Sequence, residues 1–146
     1  MSVQRIFVHA DLEQALLDGF AARMAALKTA DPVLAETNPA RDAKVSTLEV
    51  FGPVTCVYPY TRLEDALTAA NAPPRSFQAS IFNEDLRTAF AAAERLAASA
   101  VMVNDPTAFR TDWMPFAGRR QSGYGVGGIP YTMREMTEEK MIVFRM

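Results

Sequence analysis

FQASIFNEDLRTAFAAAERLAASAVMVN, residues 77–104, decides the fold. The first six residues are a β-type run, Asn83 and Asp85 are both residue types that cap helices, and an alanine-rich body follows to about residue 98. The apolar AVMVN at 100–104 then reads as a short buried strand. Working outward, LEDALTAANA from Leu63 is helical and Pro73-Pro74 ends it. Val and aromatic content over 45–60 predicts strands, interrupted at Gly52-Pro53. Asp31-Pro32 and Asn38-Pro39 mark residues 30–43 as loop. Ahead of it, Asp11 stands where an N-cap would sit, and Leu12, Leu16, Leu17, Phe20, Met24 and Leu27 recur at helical spacing, which predicts a helix over 12–28. QRIFVH at 4–9 reads as a strand. Alternating strands and helices argue for an α/β fold, a layered sheet with helices and some parallel strand pairs.

The C-terminal third is patterned differently. Five of the seven glycines lie between Gly118 and Gly128, in GRRQSGYGVGG, so this stretch needs backbone freedom or close approach of something to the main chain. A helix is expected over 131–139, and KMIVFRM at 140–146 as an apolar strand with no obvious return partner.

A chain of 146 residues with 49% apolar and 22% charged residues suits one compact domain without staples. Fifteen Lys plus Arg against seventeen Asp plus Glu, with no long run of either sign, give no basic face for nucleic acid. No stretch approaches the roughly 18 uninterrupted apolar residues of a membrane span, and the N-terminus lacks the apolar core of a signal peptide. A cytoplasmic location is therefore expected, in keeping with a single cysteine, Cys56, that has no internal partner. One histidine and one cysteine exclude a His-rich metal centre, and a Cys-His pair would have to be His9 with Cys56. VTCVY supplies no cation or base for a reactive thiolate, so Cys56 reads as a core residue and His9 as structural.

Three features have both a structural and a binding reading. The glycine cluster superficially resembles a phosphate loop, but the TDWMPFAGRRQ before it is no strand, and a structural turn is the better reading. Glu49 and Phe51, in EVFGPV, could offer a carboxylate to ribose hydroxyls and a flat face to a ring; equally they could be a solvated strand-end residue and a core aromatic. Phe109, Trp113 and Phe116 crowd the loop after Asn104, where they could line an apolar tunnel for a small organic substrate or close the edge of the core.

Taken together, EVFGPV, TAANAPPRSFQASIFNED, AVMVN, PFAGRRQSGYG and YTMREMTEEKMIVF resemble the C-terminal part of the catalytic domain of the NAD(P)-dependent aldehyde dehydrogenase family, almost continuously from Lys44 onward. The resemblance implies an α/β catalytic domain beside a Rossmann-type cofactor domain, NAD or NADP as acceptor, a small aldehyde as substrate and a projecting segment that makes oligomers. By the same resemblance Glu49 and Phe51 match the residues that contact the nicotinamide riboside. Asn104 matches the asparagine ahead of the substrate loop, and Phe109 and Phe116 match aromatic positions of the substrate tunnel. Two departures stand out: Ser76-Phe77 replaces a usual Gly-Leu pair, and Ala117 replaces the first glycine of PFGG.

MSVQRIFVHADLEQALLDGF is similar to the family segment that directly follows the catalytic cysteine. The resemblance thus implies one truncated catalytic domain over 1–146, starting just after the nucleophile, with an internal gap near 28–33. An upstream extension that restored a cysteine would not fill that gap. Aldehyde oxidation by the family's route needs a thiolate, an oxyanion donor, a positioned nicotinamide and a base for thioester hydrolysis. No catalytic residue is therefore expected here, and turnover by these residues alone is not. The alternative is a non-catalytic module that oligomerises or binds a partner through the C-terminal strand.

Overall fold

The computed structural model describes residues 3–26, 36–37, 44–50, 52 and 54–146, which divide into two compact units, Met1–Pro73 and Pro74–Met146. The expected end of the first helix, the gap near 28–33 and Phe51 lie outside the described residues.

The first unit is built on a parallel sheet. β1 (Arg5–His9) runs beside β3 (Cys56–Tyr60) in the register Arg5↔Cys56 to His9↔Tyr60, and β2 (Glu36–Thr37) adds to the other side of β3 at Cys56 and Val57. Among the described residues Pro59 has a ladder partner on one side only, Val8 of β1, as suits a residue with no amide hydrogen. Cys56, Val57 and Tyr58 are buried, with Val8 of β1 and with Ala66 and Leu67 of α3 (Leu63–Asn71). Arg5 closes the end of α3, donating from its guanidinium to the carbonyls of Ala69 and Ala70 at 3.2 and 3.3 Å, the first of which also accepts from the Ala72 amide at 3.4 Å.

Two details differ from the sequence reading. Helix α1 (Glu13–Ala25) is preceded by a 3-10 turn over Ala10–Leu12, and the residue that caps the turn is His9, whose Nδ1 accepts from the Asp11 amide at 3.4 Å. Asp11 lies inside that turn because the strand's extended last residue already reaches two residues ahead. Upstream of Gly52, residues Lys44–Thr47 form a single helical turn, α2, and not a strand. The turn folds Val45 and Ser46 onto β3, where the Tyr58 hydroxyl donates to Ser46 Oγ at 2.8 Å and the Cys56 thiol faces the Val45 carbonyl. These contacts outweigh the β preference of Val45 and Thr47.

The second unit holds the stretch 77–104 as predicted. β5 (Gln78–Ile81) and β6 (Ala100–Val103) pair in parallel, joined by α4 (Leu86–Arg95), which packs on both through buried Ala89 and Ala92. Asp85 is the N-cap, accepting from the amides of Arg87 and Thr88, while Asn83 Oδ1 accepts from the Asp85 amide at 2.7 Å. Both candidate caps are thus in use, one behind the other. A short antiparallel pair, β4 (Arg75–Ser76) with β7 (Arg119–Arg120), ties the start of the unit to the glycine loop. Helix α5 (Ile129–Glu135) starts two residues earlier than expected because Pro130 suits its first turn. Residues 140–146 form no ladder among the described residues, and Met141, Val143 and Phe144 stand open to solvent. The expected strand does not form because a strand needs a neighbour for its amides and carbonyls, and none of the described residues pairs with it. No helix among the described residues is long and apolar enough to cross a membrane.

Candidate functional site

In the second unit the loop that carries the candidate site residues leaves past the carboxyl end of the β5–β6 pair, the place where open α/β sheets receive ligands. Asn104 ends β6 in the left-handed conformation, at φ 57°, and its main-chain amide still donates to Ile81 O at 2.7 Å. Its carboxamide then continues the ladder by one rung: Oδ1 accepts from the Asn83 amide at 2.9 Å and Nδ2 donates to the Asn83 carbonyl at 3.0 Å. Asparagine is one of the few residues other than glycine that visits this conformation readily. Asn104 therefore acts on the loop through its backbone, by fixing where the loop departs.

Two four-residue turns follow, closed by Phe109 N to Pro106 O and by Met114 N to Thr111 O, each at 3.1 Å. They set Phe109 and Met114 along β6, where with Ala100, Val101, Met102, Val103 and Asp105 they line an open depression of about 240 Å³. Phe109 is 45% exposed there. Phe116 does not line this depression: its ring meets Phe77 edge-on at 5.0 Å, and the Arg110 guanidinium stacks 4.4 Å from its centroid. Trp113, also counted among the crowding aromatics, is 75% exposed.

The glycine cluster approaches the chain's own backbone. Phe116 and Gly127 exchange amide-to-carbonyl bonds at 2.9 and 2.8 Å, and a Cβ on Gly128, at φ 111°, would stand 2.7 Å from the Met114 carbonyl. The close approach anticipated from the sequence is thus made by Met114 and Phe116, and it braces the far end of the aromatic loop.

In the first unit Glu49 follows α2, next to Leu48, whose carbonyl accepts from Gln4 Nε2 at 2.9 Å. It is exposed, by the amino ends of β1 and β3, and is followed by tight turns from Gly52 N to Val50 O and from Val54 N to Gly52 O. An exposed carboxylate is a suitable acceptor for the two hydroxyls of a ribose. The cation and amide cluster that a dinucleotide's pyrophosphate requires is not supplied by the glycine loop, which is spent on its own turns. The described residues therefore do not complete a dinucleotide site.

Cys56 and His9 form no dyad. Cys56 pairs with Arg5 and His9 with Tyr60, four positions along the ladder, which separates them by about 13 Å. Cys56 is 1% exposed, and the His9 ring meets Tyr60 edge-on at 5.6 Å. Burial drives the Tyr58 hydroxyl's pKa upward despite its bond to Ser46, and lowers that of Arg5. Among the described residues no three His, Cys, Asp or Glu side chains gather as metal ligands.

The sequence reading missed Arg110, Met114 and Asp105. Their signal was position alone, since all three lie in the loop already marked by its aromatics.

The chain is similar to known proteins. The sequence profile of the aldehyde dehydrogenase family matches residues 33–142. A 3-sulfolactaldehyde dehydrogenase of Priestia aryabhattai is 37% identical over 110 residues, 75% of this chain and 23% of that protein. A lactaldehyde dehydrogenase of Methanococcus maripaludis is 38% identical over 102 residues, 70% of this chain and 22% of that protein. The chain thus spans about a quarter of the length of the curated relatives it matches. Among solved structures, aldehyde dehydrogenase 21 of Physcomitrella patens, in complex with the reaction product succinate, superposes with a TM-score of 0.87 over 97% of this chain and 39% of that one, at 25% identity. An aldehyde dehydrogenase of Bacillus cereus in its NAD+ complex shares the fold, with a TM-score of 0.85 over 92% of this chain and 37% of that one, at 20% identity.

Proposed function

Because the chain belongs to the aldehyde dehydrogenase family, we propose that its 146 residues form one incomplete catalytic domain of that family, with an internal gap near 28–33, which contributes side walls to an aldehyde site and does not turn over by itself. The carrying observation is the loop past β6, where Phe109 and Met114 join the β6 residues in lining an open, mostly apolar depression of about 240 Å³. In this reading Phe109 contacts the substrate. Asn104 sets the loop's departure, and Phe116 holds its far end against Phe77. Glu49 and Phe51 are the cofactor-side residues, Glu49 through the ribose hydroxyls.

A bound nicotinamide would supply hydride acceptance. The aldehyde must also meet a thiolate, and the only cysteine in the sequence is the buried Cys56. The pure chain, given short and aromatic aldehydes with NAD or NADP, is therefore expected to form no reduced cofactor at ordinary enzyme rates. Reduced cofactor appearing at such rates, in wild type and in Cys56→Ser alike, would overturn the reading. The unpartnered thiol suits a reducing compartment, which supports a cytoplasmic location.

The exposed tail favours a second reading, self-association through residues 140–146. Met141 and Phe144 are 87% and 84% exposed, so a pairing that covers them removes apolar surface from water. Sizing should give a larger particle for the full chain than for one ending at Glu139; equal monomers would refute this.

A further inference from the structure

We propose that Met141 is a peroxide-responsive switch: its oxidation to the sulfoxide releases the pairing of residues 140–146 with the same segment of a second copy. The inference rests on the reading of this tail as a self-association segment, and it adds the segment's register and its regulation. Four of the chain's eight methionines, Met133, Met136, Met141 and Met146, fall between residues 133 and 146. Met141 and Met136 are 87% and 81% exposed and Met146 is fully so, whereas Met102 is buried and Met24 and Met114 are half-buried. A thioether in solvent meets a dissolved oxidant, and one in a core is shielded from it. The oxidisable sulfurs therefore lie in the same stretch as the unpaired apolar surface.

That stretch is complementary to itself when two copies run antiparallel about Ile142. Glu139 of each copy then stands opposite Arg145 of the other, Met141 opposite Val143, and Ile142 opposite Ile142. Glu139 and Arg145 are exposed, and neither has an ionic partner among the described residues. Parallel pairing in register would set like charges side by side at both positions. In the antiparallel contact Met141 is covered twice, each time by an apolar side chain. Hydrogen peroxide gives one oxygen atom to the Met141 sulfur: the O–O bond breaks, an S–O bond forms, sulfur loses two electrons and the peroxide leaves as water. The new oxygen is an acceptor that Val143 cannot satisfy, which should weaken the pairing about tenfold per copy and about a hundredfold for the pair. Thiol-dependent reduction of the sulfoxide, which yields a disulfide and water, restores the thioether.

The whole chain is treated with hydrogen peroxide, and peptide masses, one added oxygen per methionine, are followed together with sizing. Met141 should gain oxygen well before Met102, and the larger particle should fall to monomer in step with it. Met141→Leu keeps the apolar volume and should stay associated through the same treatment, while Met141→Gln should be monomeric without any. Glu139→Arg should weaken the pairing, and adding Arg145→Glu should restore it. All four substitutions lie in the exposed tail and leave both cores intact. Full conversion of Met141 with no change in size, dissociation of Met141→Leu alongside the wild type, or oxidation of Met102 ahead of Met141 overturns the switch and leaves self-association standing. A charge exchange that fails to restore pairing overturns the register. An untreated full chain of the same size as one ending at Glu139 removes the self-association reading, and this proposal with it.

Discussion

Asn104 does two things that no other residue type does together. Its backbone is left-handed, which disfavours residues with a Cβ, and its carboxamide replaces a strand rung by pairing with both main-chain groups of Asn83. Asn104→Ala should therefore cost about 2 kcal/mol, from two lost hydrogen bonds and the backbone penalty together. Asn104→Gly relieves the backbone and should cost less, while Asn104→Asp keeps the acceptor and loses the donor. Urea unfolding of the three variants checks the order. Alanine and glycine variants of equal stability would mean that the left-handed backbone contributes nothing.

At the scale of elements, α4 carries a pH-dependent anchor. The Asp85 carboxylate accepts from the Thr88 hydroxyl and from the amides of Arg87 and Thr88, which holds its pKa below the ordinary carboxylate value. A group whose folded pKa is depressed stabilises the fold above its unfolded pKa, and that contribution is lost as pH falls through the folded value. The thermal midpoints of wild type and Asp85→Ala should thus be separated at neutral pH and converge below about pH 4. A separation that does not change with pH would contradict the charged cap. This same element was the most legible part of the sequence: cap, alanine-rich body and flanking β-rich runs over 77–104 agree with one another, so strand, helix and strand followed directly. Val45 and Ser46 were misread because what bends them into a helical turn is Tyr58 and Cys56, more than ten residues away, and local β preference carries no trace of such contacts. In the site, the loop of Phe109 was marked by its aromatic density, whereas the division of labour within it was not. That Phe116 is covered by Arg110 while Phe109 lines the depression depends on the turns at Pro106 and Thr111, which spacing alone does not specify.

At the scale of the whole molecule, the proposed single domain makes a demand on cooperativity. Each unit, Met1–Pro73 and Pro74–Met146, is of a size at which a core without disulfides or metal is marginal alone, so the two should unfold in one transition. The one thiol lies in the first unit at 1% exposure, and its reaction with a thiol reagent in moderate urea measures how often that unit opens. Asn104 lies in the second unit. If the chain opens as one, the roughly 2 kcal/mol lost in Asn104→Ala should speed Cys56 labelling about 30-fold, although the two residues belong to different units. Tyr58→Phe, which removes the 2.8 Å bond to Ser46 inside the first unit, should speed it about fivefold whether or not the units are coupled. Labelling that responds to Tyr58→Phe and not to Asn104→Ala would show two independently folding units and refute the single-domain proposal.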